Sequence, residues 1–299
     1  MGNSRKSSAS EERGKMEYQI KAYAKINLGL DVIGKLPNGY HEVKMVMQTV
    51  GIYDVLTLEK AESGITVVTD SKELPTDENN LVYKAAKLMK EKYNIQEGVR
   101  IHLQKNIPIS AGMAGGSTDA AATMKGISRL FGLEASMEEM FDMGVAIGAD
   151  VPYCVIGGTA LAEGIGEKLT PLELAPKCHV LVAKPDIDVS TRYVYEHLDI
   201  TGIEHHPDID GMVEAINIGS LQGILDRMEN VLETVTIATY PVIDDIKRRM
   251  KELGAVNSLM SGSGPTVFGI FLEERAAKEA MEQLKQEKLA KQIFVTTFC

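Results

Sequence analysis

The sequence predicts an α+β fold divided into two domains. Strand-like and helix-like runs are mixed without the regular alternation of a doubly wound sheet. The 299 residues are enough to bury a substantial core and to split into two units. Beyond about Leu169 the texture changes, with one buried-type strand followed by several helices. The expected organisation is a disordered leader or tag over 1–15, an N-terminal domain over 16–165 and a C-terminal domain over 166–299.

Residues 1–15 are polar, rich in serine and charge, and lack apolar periodicity, so they read as a leader without a fold, native or vector-derived. Tyr18 to Ile33 alternates as a strand or pair of strands. Leu36 to His41 is a turn carrying Pro and Asn-Gly. Asp54 to Glu59 and Ile65 to Thr69 are further strands. Asn80 to Tyr93 is helical, with Leu81, Ala85, Leu88 and Met89 on one face. Val99 to Leu103 is a strand, followed by a glycine-rich loop and a helix from Ala120 to Phe131. Ser136 to Glu139 forms a capping box for a helix to about Ile147. Gly148 to Pro152 breaks that helix, and Tyr153 to Ala162 reads as a strand containing Gly157-Gly158. In the second half, His179 to Ala183 is a strand, and Thr191 to His197, Ile209 to Asn217 and Pro241 to Leu253 are helices. Two strands within 258–271, a helix from about Glu274 to Glu287 and a strand from Gln292 to Phe298 close the chain. Met45 and Met47 read as core filler.

Lys and Arg total 32 against 42 Asp and Glu, a formal net charge of -10. That balance excludes nucleic acid or an anionic membrane as the main partner. An anionic ligand must then be met by local groups. The three cysteines, Cys154, Cys178 and Cys299, have no metal-ligand or disulfide spacing. No secretory or membrane-spanning segment is evident, so a cytoplasmic location is expected. Monomer and homodimer both remain open.

The segment Pro108, Ile109, Ser110, Ala111, Gly112, Met113, Ala114, Gly115, Gly116, Ser117, Thr118 joins a strand to a helix. Small residues there let a ligand approach the backbone, and the first helical amides have no intrahelical acceptor. Such a turn is an anion site, and a polyphosphate is its usual occupant. No Gly-Lys-Ser/Thr follows, and the glycine spacing is not that of a dinucleotide fold. Lys25 and Asn27 point to one face of an apolar strand, which suits a site wall better than a solvated face. Asp150 follows a helix just before a proline, where turn former and functional carboxylate weigh equally. Tyr40 and His41 follow an Asn-Gly turn.

Ala24 to Leu28, the glycine loop and Leu259 to Gly269 occur in the order found in the GHMP small-molecule kinases, which this chain resembles from Met16 onward. The resemblance implies a two-domain GHMP kinase fold with the active site in the interdomain cleft. It implies ATP held by Pro108 to Thr118, with Mg²⁺ expected and its ligands unassigned beyond Ser117 by analogy. It makes Lys25 and Asp150 catalytic, and Asn27, Tyr40 and His41 substrate-binding. The Pro37 to His41 and Gly148 to Pro152 segments resemble the branch of the family whose acceptor is a cytidine diphosphate-linked methylerythritol. There the pair matching Tyr40 and His41 recognises cytosine, with Tyr193 or Tyr195 supplying the second aromatic face. A homoserine- or mevalonate-type acceptor and a non-catalytic nucleotide sensor are the competing readings. The loop has fewer glycines than many family versions, and Ala111 and Ala114 are expected to allow close approach with φ negative.

Overall fold

The structure, a computed structural model, describes residues 17–299; the expected leader over 1–15 lies outside them. The chain opens with two long paired strands, β1 (Glu17–Lys35) and β2 (His41–Ala61), then β3 (Ile65–Thr69), α1 (Leu81–Lys92) and β4 (Gly98–Gln104). After the glycine loop come α2 (Gly115–Leu130), α3 (Met137–Ile147), α4 (Val151–Ile156), β5 (Thr159–Gly164) and β6 (Lys168–Pro171). The second half holds β7 (His179–Lys184), α5 (Thr191–His197), α6 (Ile209–Asn217), α7 (Leu221–Leu225), α8 (Glu233–Thr239) and α9 (Val242–Glu252). It finishes with β8 (Asn257–Met260), β9 (Val267–Phe271), α10 (Glu274–Glu287) and β10 (Gln292–Thr297).

A six-stranded sheet runs β3-β4-β2-β5-β6 with β1 on the other edge of β2, and a four-stranded sheet runs β10-β7-β9-β8. The parallel β3–β4 pair is joined through α1, as a parallel connection requires. Its partner helices α1 to α4 cover one face of the larger sheet around Leu58, Met89, Ile101 and Met124. Two further cores draw residues from both sheets, so the halves are packed into one body: Ile26 and Val46 share a cluster with Val180 and Phe268. The larger sheet extends to Pro171, and the change of sheet falls within 172–178.

Local signals explain most boundaries. Asn80 caps α1 by accepting from Val82 N at 2.8 Å, and Ser136 and Glu139 make the expected capping box on α3. At α4 the expectation fails: Tyr153–Ile156 is helix, not strand. A six-residue apolar run is ambiguous in period, and Pro152 in the first turn favours a helix start. The Gly157-Gly158 pair, at φ 73° and 71°, then ends α4 ahead of β5. The helices α7 and α8 and the short β6 had no expectation at all. No helix among the described residues is long and apolar enough to cross a membrane.

Candidate active site

The glycine loop enters α2 through an unusual turn. Ala114 is the N-cap in the left-handed region, at φ 56°, and no side chain caps the helix. This corrects the expectation of negative φ at Ala114, and the helix starts at Gly115 rather than near Ala120. Left-handed backbone is strained for a residue with a Cβ; here it leads the chain into a first helical turn, Gly115, Gly116 and Ser117, that lines a cleft of about 350 Å³. Gly112, at φ 68°, has no room for a side chain, because a Cβ would lie 2.3 Å from the Ser261 carbonyl oxygen. The Ser261 hydroxyl also donates to the Gly112 carbonyl at 3.0 Å. The 261–264 loop is therefore pinned against the glycine loop. Pro108 to Gly112 and Ala114 to Ser117 line the cleft; Met113 and Thr118 are buried behind it. The Met113 carbonyl instead accepts from Lys25 N at 3.2 Å.

Lys25 and Asn27 lie between two irregularities in the β1–β2 pairing, at Tyr23/Lys25 and Asn27/Gly29. Such bulges re-aim side chains locally. The Lys25 side chain is 6 % exposed, and a buried ammonium needs partners. It donates to Asn27 Oδ1 at 2.8 Å and stands 3.9 Å from Asp150 Oδ2. Asn27 in turn donates to the Met45 sulfur at 3.2 Å, so Met45 is a cleft residue as well as core filler. Asp150 sits where α3 ends and α4 begins, with its side chain 35 % exposed.

Lys25, Asn27 and Asp150 line a second cleft of about 680 Å³, whose wall also holds Tyr40, His41 and Tyr195. Tyr40 stands on the tight turn between β1 and β2, where Asn38 Oδ1 accepts from Tyr40 N at 3.1 Å. The His41 and Tyr195 rings lie 5.2 Å apart, whereas Tyr193 stacks on His197 outside the cleft. Burial, with Lys35 nearby, holds His41 below its ordinary value. A neutral imidazole at pH 7 offers one donor and one acceptor. Gly112, Ser117, Asp150 and Thr191 belong to the walls of both clefts. The two spaces therefore meet at the carboxylate.

Several residues of these walls carried no sequence signal. Lys105, just after β4, lines the glycine-loop cleft. Its ammonium is held by Asp54 and, at 2.9 Å, by Asp119 of α2. Asp54 also accepts from Asn106 N at 2.5 Å and Ile107 N at 2.8 Å, fixing the approach to the loop. Asp119 Oδ1 has no partner, and burial pushes its carboxyl well above the ordinary value despite Lys105. A charged residue inside an alternating strand, as at Asp54, was the available signal for this network. Arg192 and Glu196 of α5 line the acceptor-side cleft.

Two clefts, one built of helix-terminal amides and one ending in a carboxylate–ammonium pair, meeting at that carboxylate, define a small-molecule phosphotransferase. The sequence matches the GHMP kinases N terminal domain over residues 80–158 and the GHMP kinases C terminal domain over 212–291. A 4-diphosphocytidyl-2-C-methyl-D-erythritol kinase of Lachnospira eligens is 56% identical over 93% of this chain and 97% of its own. One of Caldicellulosiruptor saccharolyticus is 52% identical over 94% and 96%. The crystal structure of a 4-(cytidine 5'-diphospho)-2C-methyl-D-erythritol kinase superposes with a TM-score of 0.81 at 32% identity, covering 94% of this chain and 99% of that one. The chain belongs to the GHMP kinase family, and it is an ATP-using small-molecule kinase.

Proposed function

We propose that the protein transfers the γ-phosphoryl group of ATP to the 2-hydroxyl of 4-diphosphocytidyl-2-C-methyl-D-erythritol, a cytoplasmic step in non-mevalonate isoprenoid precursor biosynthesis. The observation that carries this is the meeting of the two clefts at Asp150. Relatives at 56% and 52% identity bear that kinase's name. The aromatic and imidazole end at Tyr40, His41 and Tyr195 favours an acceptor with a nucleobase over homoserine or mevalonate. A base stacked on one aromatic ring gains about 1–3 kcal/mol.

In this reading the triphosphate lies on the Gly115, Gly116 and Ser117 amides, its γ-phosphorus toward Asp150. The acceptor hydroxyl oxygen bonds to that phosphorus, its proton passes to the Asp150 carboxylate, and the bond to the β,γ-bridging oxygen breaks to release ADP. Lys25 stabilises the alkoxide character of the attacking oxygen, and Asn27 fixes the Lys25 ammonium. Positioning and charge supply most of the acceleration in phosphoryl transfer, so an aspartate suffices as proton acceptor. Magnesium would come with ATP, and the Ser117 hydroxyl at the junction is a hard oxygen donor that would help hold it, where it would neutralise charge on the transferring phosphoryl group. Among the described residues no group of three or more His, Cys, Asp or Glu could hold a metal unaided.

The test is coupled ADP release with this acceptor beside homoserine and mevalonate. Turnover confined to the cytidylyl compound is expected. Turnover with another acceptor alone rejects the cytidine assignment, and ATP binding without turnover of any acceptor makes the protein a sensor. In Asp150→Asn, turnover should be lost and ATP affinity retained; full activity in that variant removes Asp150 from the chemistry.

A further inference from the structure

An acceptor joined through a diphosphate brings two negative charges into a cleft whose wall is electrically balanced. Among the described residues lining it, Lys25 and Arg192 are the cations and Asp150 and Glu196 the acids. Burial and Lys35 hold His41 below its ordinary value. Lys25 is buried and committed to Asn27 and Asp150. Arg192 is different: its Nε donates to Glu196 Oε1 at 2.7 Å, with the two side chains 85% and 55% exposed. An exposed i,i+4 pair on one helix is a weak interaction, and with the cation on the N-terminal side it has the less favourable order. A phosphate offers guanidinium a bidentate, charge-assisted partner, which is stronger.

Place on the helix decides which part of the acceptor Arg192 meets. Thr191 stands at the junction with the glycine-loop cleft, tied to Ser263 at 2.8 Å, and Tyr195, one turn further, packs on His41. Arg192 and Glu196 form the neighbouring row of the same helix. With a nucleoside on the Tyr195 and His41 rings and a hydroxyl at Asp150, the linking diphosphate runs along this helix, beside that row. Resting on the acceptor assigned above, we infer that Arg192 leaves Glu196 to bind the acceptor's diphosphate and is a specificity-determining residue for phosphate-linked acceptors.

Equilibrium binding of CDP and of cytidine, with acceptor kinetics alongside, tests this. Arg192→Gln should weaken CDP binding about tenfold, leave cytidine binding unchanged, and flatten the salt dependence of CDP affinity. It should raise the acceptor KM and not that for ATP. Glu196→Gln, which removes the competing carboxylate, should tighten CDP. Arg275→Gln breaks a matching exposed i,i+4 pair with Glu279 on α10, outside the cleft wall, and is the control. Equal weakening of CDP and cytidine, or CDP affinity no different from that of Arg275→Gln, overturns the inference. Because these measurements need no turnover, a wild-type protein inactive on the cytidylyl acceptor rejects the proposed reaction and leaves the Arg192 result standing on its own.

Discussion

Single atoms decide how tightly the glycine-loop cleft is built. Gly112 touches the Ser261 carbonyl so closely that even a methyl group has no place, and its φ of 68° adds backbone strain to the clash. Gly112→Ala should therefore lower stability by about 1–3 kcal/mol and raise the KM for ATP, since the glycine loop and the 261–264 loop must part. Urea unfolding and ATP kinetics check both, and an unchanged ATP KM would show that the contact does not shape the nucleotide site. Lys25 was legible as a polar residue in an apolar strand, whereas Asp150 weighed equally as a turn former and was singled out only through the family resemblance. Their pairing was not legible, because 3.9 Å between a strand residue and a residue following a distant helix is a tertiary fact. Lys105 escaped notice for the same reason: a lysine at a strand end looks solvated until Asp54 and Asp119 close around it.

Among the elements, those with caps and clean periodicity were readable to within a residue or two. The α3 capping box is one: Ser136 accepts from Glu139 N at 3.1 Å, and Glu139 accepts from Ser136 N at 3.0 Å. Ser136→Ala should cost about 1 kcal/mol, read from the denaturation midpoint. The Ser136 amide, then Tyr93 and Lys92, hold the Glu139 carboxyl at about 2, down from 4.5. A depressed carboxylate stabilises the fold above its unfolded value and loses that contribution on acidification. Stability carried by Glu139 should thus be complete above about 4.5 and fade as the pH falls toward about 2. Glu139→Gln should flatten the stability curve in that window and leave its slope near neutrality untouched. Readability failed at α4, where a short apolar run carries no period, and at α7 and α8, which are too short to display an amphipathic face. Ala114 shows a further limit. Its left-handed turn is imposed by the packing of the loop, against the local preference of alanine.

At the level of the whole molecule, the chain's last residues tie the smaller sheet to the larger one. Phe298 is buried and bridges to Val50 of β2, Cys299 N donates to the Thr49 carbonyl at 3.0 Å, and Gln48 Nε2 reaches the Cys299 carbonyl at 3.2 Å. Removing residues 298 and 299 should cost about 3 kcal/mol, from the lost aromatic burial and the two hydrogen bonds. Thermal unfolding of the truncated protein measures it, and an unchanged midpoint would mean the halves hold together without the tie. The two-part α+β organisation was readable from the order of strands and helices. The shared cores were not, since nothing along the chain announces that Ile26 will meet Phe268.

Because Gly112, Ser117, Asp150 and Thr191 are walls to both clefts, nothing solid separates the space proposed for the nucleotide from that proposed for the acceptor. One synthetic compound bearing adenosine at one end, cytidine at the other and a phosphate chain between them could thread the whole passage. Once its first end had docked, the second would bind at an effective concentration of order millimolar. Such a bisubstrate inhibitor would draw its selectivity from the aromatic mouth, leaving kinases of the same fold with other acceptors untouched.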